Sequence, residues 1–305
     1  MAGDKSKLRM LYEFFFQKVQ DLRPAVKLPV VKQDLKALNP ATDLLIWLGH
    51  SSLYLHLDGK RILVDPVLVA ASPVSFVNKA FKGVDVYTPA DLPPIDYVLL
   101  THDHWDHMDY ETLLHLKDQV SKIVCPLGVG AHLIYWGFDP QKIIEQDWFD
   151  EIQLDAQIKL HTLPARHFSG RGLKPNKSLW ASYMLQSSFG NIYLSGDTGY
   201  DKHFEAIKRR FDKIDLAIME NGQYNADWRY IHMMPEDLLQ AVKDLEPMHF
   251  ITVHNAKYAL GKHAWYEPLD NIYAASAKEA LPLITPMIGE TLLLDQLPTT
   301  AKRWW

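Results

Sequence analysis

One cysteine among 305 residues, Cys125, excludes a disulfide framework and any cluster of thiolate metal ligands, and it fits a reducing compartment. A metal bound by this chain must therefore rest on imidazole and carboxylate, and 14 histidines are present to supply the former. No stretch approaches the ~20 consecutive apolar residues that a membrane helix requires. The charged segment Met1 to Arg23 does not read as a secretory leader. Basic runs are missing too: Lys+Arg 32 against Asp+Glu 37 leaves a net charge of -5, so nucleic acid is not an expected partner. Repeats and low-complexity tracts are also lacking. What is present, 48% hydrophobic and 23% charged residues, is the composition of a chain that buries a substantial core.

Residues 1–40 read as an N-terminal helical extension and residues 41–305 as a single domain. The extension places Leu8, Leu11, Phe14, Phe15, Val19 and Leu22 at helical spacing, an apolar stripe that needs a cover. Three covers are expected: the body of the protein, a second copy in a homo-oligomer, or a membrane touched peripherally from the cytoplasm. Beyond it, Leu44 to Leu48, Leu53 to Leu57 and Arg61 to Asp65 read as consecutive strands, with Asp58-Gly59 as a hairpin turn. Tyr97 to Leu100 and Lys122 to Cys125 read as further strands. A second β-rich stretch follows in Ile158 to Leu163, Leu179 to Leu185, Asn191 to Leu194, Leu216 to Met219 and Phe250 to Val253. Helices are expected over Asp201 to Arg210, Pro235 to Leu245 and Tyr266 to Ala280, the second opened by a proline at a position where a missing N–H costs nothing. Two such halves argue for a layered α/β protein with two sheets.

Directly after the strand ending at Leu100 comes His102-Asp103-His104-Trp105-Asp106-His107, three histidines and two aspartates within six positions. In extended chain, residues two apart point the same way, so His102 and His104 can grip one ion. A turn toward a helix beginning near Tyr110 can redirect Asp106 and His107 to a second. His167, Asp197 and His254 each follow an apolar strand in the same manner, and each alone reads more readily as structural, a capped turn or a satisfied surface residue. Together they supply three more ligands from three strand ends, and a carboxylate such as Asp197 has lone pairs enough to bridge two cations.

This set, in this order, resembles the metallo-β-lactamase superfamily. The segments Trp47-Leu48-Gly49-His50-Ser51, Asp65-Pro66-Val67, Ala71-Ser72-Pro73, Leu92-Pro93-Pro94-Ile95-Asp96, Gly196-Asp197-Thr198-Gly199-Tyr200 and Pro235-Glu236 resemble more closely the branch containing N-acylphosphatidylethanolamine-hydrolysing phospholipase D. The ascorbate-6-phosphate lactonases are more distantly similar. The resemblance implies a four-layer αββα sandwich with two mixed β-sheets and two divalent metal ions at one edge, zinc first, manganese or iron in its place. It implies that His102, His104 and His167 hold one ion, that Asp106, His107 and His254 hold the other, and that Asp197 bridges. It further implies a substrate-oxyanion role for His232 and a supporting role for His50 and Asp65. Two segments depart from the branch: Asn255-Ala256-Lys257-Tyr258, without the expected Trp-Gly pair, and Glu220-Asn221-Gly222-Gln223-Tyr224.

The implied activity is metal-dependent hydrolysis, in which two cations lower the pKa of a shared water from ~15.7 toward neutrality and the resulting hydroxide attacks. Asp106 and His232 are the candidate catalytic residues, with Asp106 orienting the hydroxide. The leading substrate is a phosphodiester, small or lipid, served by Arg166, Arg229 and His232 as polar partners and by Tyr224, Trp228 and Tyr258 as an apolar entrance. The alternative keeps the metals but breaks a lactone or other carboxylic ester of a phosphorylated small molecule. A noncatalytic metal-binding protein is the reading from another class. No GxSxG segment offers a serine nucleophile, and Cys125 sits in an apolar strand as packing.

Overall fold

Strands made of continuous apolar runs must be covered on both faces, and this chain covers them by stacking two sheets between helices. The computed structural model describes residues 18–74 and 77–305. Strands β1 (Leu44–Trp47), β2 (Leu53–Leu57), β3 (Lys60–Val64), β4 (Ile95–Leu99), β5 (Val120–Pro126) and β6 (Ile143–Gln146) belong to the first sheet. Strands β7 (Glu151–Gln153), β8 (Lys159–Leu163), β9 (Ser182–Gln186), β10 (Asn191–Leu194), β11 (Leu216–Glu220) and β12 (Phe250–Val253) form the second. A last strand, β13 (Thr291–Leu293), returns to the first sheet and pairs antiparallel with β1 in the register Leu45↔Leu292. The spatial orders are β13-β1-β2-β3-β4-β5-β6 and β12-β11-β10-β9-β8-β7. Both sheets are mixed: β3 through β6 run parallel, as do β10 through β12, and the other neighbours are antiparallel.

The period-two alternation of the strands sorts the core into layers. Leu45, Trp47, Leu55 and Val64 of the first sheet meet Leu160, Leu185, Ile192 and Ile218 of the second in the central layer. Their sequence neighbours Leu44, Ile46, Tyr54 and Leu63 face outward, toward α1 (Tyr110–Leu116) and α2 (Gly130–Tyr135). On the far side Tyr193, Ala217 and Met219 carry α3 (His203–Phe211), α4 (Pro235–Leu245) and α5 (Glu267–Glu279) through Phe204, Ile207, Leu238, Val242 and Ile272. The result is the four-layer αββα sandwich with two mixed sheets.

Local chemistry sets the boundaries. Asp58 and Gly59 both adopt positive φ, 48° and 76°, the turn whose twist matches paired strands, and Leu57 lies opposite Lys60. Pro235 opens α4 and the Asp237 carboxylate accepts the Met234 N–H, while Glu246 at φ 45° closes it. The strand expected from Leu179 begins only at Ser182, because the Leu179 N–H goes to Leu127 O and the Ala181 N–H to Thr101 O, both contacts across to the first sheet's loops. The helix expected at the N-terminus falls largely outside the described residues. The described part of 1–40, residues 18–40, contains turns and one bridge, Val30 to Ile288, rather than helix. Among the described residues no helix is long and apolar enough to cross a membrane.

Candidate metal centre

The ends of four strands, β4, β8, β10 and β12, converge on one edge of the sandwich. The loop after β4 leaves extended chain at His102 to His104 and then turns, with the His107 and Met108 N–H groups both donating to His104 O. That turn redirects Asp106 and His107 as the sequence predicts. Asp109 then caps α1 by accepting the Glu111 N–H, and its other oxygen takes the Val69 and Ala70 N–H groups, which ties the loop after β3 to the same corner.

Two ligand sets result. His102 Nε2 lies 2.9 Å from His104 Nδ1, which lies 3.1 Å from His167 Nε2. Nitrogens around one tetrahedral zinc, each bound at about 2.05 Å, are separated by about 3.3 Å, so this trio is near the size of an ion's cradle. The second set brings His254 Nε2 to 3.3 Å and His107 Nε2 to 3.7 Å from Asp106 Oδ2. Asp197 stands between them: Oδ1 is 3.1 Å from His107 Nε2, and Oδ2 is 3.3 Å from His254, 3.8 Å from His167 and 3.9 Å from His102. His107 Nε2 and Asp197 Oδ1 are buried without hydrogen-bond partners, a costly arrangement that a cation between them would relieve. The residues fit two divalent ions, and all seven predicted ligands are brought together.

Electrostatics favour the ligating forms of His102, His104, His167, Asp106 and Asp197. Burial, reinforced by neighbouring imidazoles, holds His102 far below the usual histidine range; burial does the same to His167 and lowers His104, so all three are neutral. Burial opposes ionisation of Asp106 and Asp197, yet His107 and its fellow histidines pull both far down, keeping them carboxylates. Burial also disfavours charge on His107, but Asp197 and Asp106 drive its pKa well up.

Further side chains pack against the two ligand sets. His50, fully buried with its pKa pushed to about 3 by burial, places Nε2 2.9 Å from Asp106 Oδ2. Asp65 accepts the Thr101 N–H and hydroxyl and faces His107 Nδ1 at 2.8 Å, the carboxylate partner that orients a metal-binding imidazole. His232 lies against His167, ring centroids 5.1 Å apart. Tyr258 packs edge-on against His50 at 5.2 Å, and its neighbour Lys257 is buried, donating to Val67 O and lowered to about 8 by that burial. Three predicted substrate residues engage partners outside the cluster. Arg229 pairs with Asp237 at 2.9 Å, Arg166 binds Tyr200 O and Asp201, and the Tyr224 hydroxyl donates to Glu267.

Several residues went unread in the sequence. Glu220, buried at the end of β11, accepts the Thr198 N–H at 2.7 Å and meets His232 Nδ1 with its other oxygen. Burial and the nearby Asp197 carboxylate push its pKa well up. A polar residue after the apolar run Leu216 to Met219 was the available signal, the same one that marks Asp197 and His254. Asp103, inside the histidine motif, is no ligand; it accepts the Gly170 N–H at 2.6 Å and the Ser178 hydroxyl at 2.9 Å, pinning the loop after His167. Beneath that loop opens a cavity of about 720 Å³, walled by Trp105, Tyr135, Trp136 and Leu173 and edged by Arg171, Lys174 and Lys177. The Arg171 guanidinium lies 3.7 Å over the Trp105 ring.

The sandwich and its edge of histidines and aspartates define a metallohydrolase class of protein. Residues 60–255 match the family described as beta-lactamase superfamily domain, and the chain belongs to that family. It is 34% identical over 308 residues to an uncharacterised protein of Mycobacterium tuberculosis, covering 99% of this chain and 82% of that one. It is 32% identical over 242 residues to the mitochondrial N-acyl-phosphatidylethanolamine-hydrolyzing phospholipase D of Saccharomyces cerevisiae, covering 74% of this chain and 50% of the yeast protein. Among solved structures, Igni18, a metallo hydrolase of Ignicoccus hospitalis, superposes with a TM-score of 0.62 at 19% identity, over 82% of this chain and 97% of that one.

Proposed function

We propose that this metal-dependent hydrolase cleaves a phosphodiester whose alcohol or acyl portion is apolar, as an N-acylphosphatidylethanolamine is. The observation that carries the reading is the cavity beside the histidine motif, where aromatic walls at Trp105, Tyr135 and Trp136 meet a cationic edge at Lys174 and Lys177. Such a wall accommodates acyl chains while the edge attracts phosphate. Similarity to the yeast phospholipase supports the same substrate class.

His102, His104 and His167 would hold one cation, Asp106, His107 and His254 the other, with Asp197 between them. Such cations supply Lewis acidity and lower the pKa of a shared water. The chain's own residues supply orientation and proton traffic. His50 holds the Asp106 carboxylate at 2.9 Å, so its orientation is fixed before substrate arrives. Asp106 is the acceptor for a proton leaving the attacking water. His232, its Nδ1 taken by Glu220, keeps Nε2 for the departing alkoxide oxygen or a non-bridging phosphate oxygen.

Elemental analysis of freshly purified protein, paired with turnover of bis-p-nitrophenyl phosphate, a lactone panel and N-acylphosphatidylethanolamine vesicles, tests this. About two metals per chain with diester and lipid turnover are expected. Lactone turnover alone moves the chemistry to carboxylic esters, and absence of turnover on every substrate overturns the reading.

A further inference from the structure

The turn that carries His104, Asp106 and His107 runs from Asp103 to Met108 and closes on one atom, His104 O, which takes the His107 N–H at 3.1 Å and the Met108 N–H at 2.9 Å. The carbonyls at its two ends need partners from elsewhere. Arg171, in the loop after His167, supplies both from a single nitrogen: Nη1 donates to Met108 O at 2.6 Å and to Asp103 O at 3.0 Å. One amino group thus pinches together the ends of the ligand-bearing stretch. Two indoles hold the guanidinium in place, Trp105 within the turn with its ring centroid 3.7 Å from Cζ, and Trp136 just after α2 at 5.0 Å. The grip is returned, because the Asp103 side chain accepts the Gly170 N–H and the Ser178 hydroxyl from either side of Arg171. Arg171 is kept there at a cost: its Nη2 is sealed from solvent and has no hydrogen-bond partner among the described residues. A long apolar side chain would fill the slot between the indoles without that cost, but it could not bridge two carbonyls.

We infer that Arg171 is a positioning residue which pins the turn from Asp103 to Met108 in the shape that presents its metal ligands, and does so from the wall of the neighbouring cavity. Its two acceptors bracket His104, Asp106 and His107, three of the seven candidate ligands. The bracket acts on backbone, which sets the direction of each Cα–Cβ bond before any rotamer is chosen, so the ligands are aimed before an ion arrives. Arg171, Trp105 and Trp136 also line the cavity together. The loop that shapes the cavity and the turn that presents the ligands are therefore one hydrogen-bonded unit, joined through the Arg171 side chain in one direction and the Asp103 side chain in the other.

Two variants test this. Arg171→Met keeps a long side chain between the rings and removes every donor, whereas Arg171→Lys keeps a cation able to reach a carbonyl. Zinc affinity of the full chain is measured by competition with a chromogenic chelator, alongside far-UV circular dichroism of the zinc-free protein. Arg171→Met is expected to keep the spectrum of the natural chain and to bind at least one of two zinc ions about tenfold or more weakly, and Arg171→Lys to lose less. Turnover of bis-p-nitrophenyl phosphate by Arg171→Met should fall at limiting zinc and return to within about threefold of the natural chain at saturating zinc. Zinc affinity within about twofold of natural in Arg171→Met, equal losses in the two variants, a loss of turnover that saturating zinc does not restore, or failure of both variants to fold each overturns the inference. The turnover arm rests on the hydrolytic reading above; if the natural chain turns over no phosphodiester, that reading fails while the zinc titration still judges Arg171.

Discussion

Asp197 touches both ligand sets, so its replacement separates a shared site from two independent ones. Asp197→Ala is expected to abolish hydrolysis and to lose at least one metal per chain by elemental analysis; two retained metals with full turnover would refute the bridging assignment. His232→Ala, by contrast, should keep metal content and lower kcat, since its Nδ1 is bound to Glu220. A different, half-buried histidine reports on stability. His203, at the start of α3, lies against the Phe204 ring at 4.1 Å and is lowered by burial from 6.5 to about 4. Below pH 6.5 the unfolded chain takes up a proton there that the folded chain refuses until about pH 4. Stability is thus full above 6.5 and falls as pH drops through that window, by at most about 1.4 kcal/mol per pH unit from this group. Urea titrations of metal-free protein at pH 7, 6 and 5 should show a shallower decline for His203→Phe than for the natural chain; equal slopes would count against it. The seven candidate ligand residues were legible because each follows an apolar strand or sits in a dense motif. Glu220 gave the same strand-end signal, but a lone glutamate carries no spacing to mark it. Arg166, Arg229 and Tyr224 were read as site groups from charge and aromaticity alone, which do not say that Asp237, Asp201 and Glu267 claim them.

At the scale of elements, two loops shape the mouth of the site. Gly199 lies so close to the segment carrying His232 that any Cβ there would overlap the Tyr230 backbone, while Ile231 O accepts the His167 Nδ1–H. Gly199→Val should therefore shift residues 229–231 and weaken both turnover and binding of the ion held by His167; unchanged kcat and metal content would show that the segment tolerates displacement. The other loop follows His167, held by Asp103 and bearing Leu173, which is fully exposed, beside Lys174 and Lys177. Replacing Leu173 with Ser and both lysines with Glu should raise KM for lipid vesicles about tenfold or more while leaving small diester kinetics within about twofold. Parallel rises for both substrates would move this loop's role to the reaction itself. Most strands were readable as apolar runs. Strands β6, β7 and β13 were not: β6 buries only its last residue, β7 is only three residues with two exposed, and β13 finds β1 across 240-odd positions.

For the molecule as a whole, the two-sheet stack was legible from two β-rich halves, but the return of β13 to the first sheet was not, since nothing in a three-residue apolar run names its neighbour. The chain's last residues extend that return. Trp304 packs against Trp47 at 6.4 Å, Trp305 Nε1 donates to Asp270, and Trp47 Nε1 in turn donates to His50 O. Trp304→Ala should cost about 2 kcal/mol and lower Tm by several degrees, with less effect on kcat than on stability.

The pairing of β13 with β1 also fixes an order of events during synthesis. Until residue 293 has left the ribosome, the edge of β1 offers an unpaired row of backbone groups flanked by Leu44, Leu45 and Ile46, although its other neighbour, β2, has long been available. The hairpin that introduces His50 thus waits, sticky and half finished, through the synthesis of the 240-odd residues between β1 and β13.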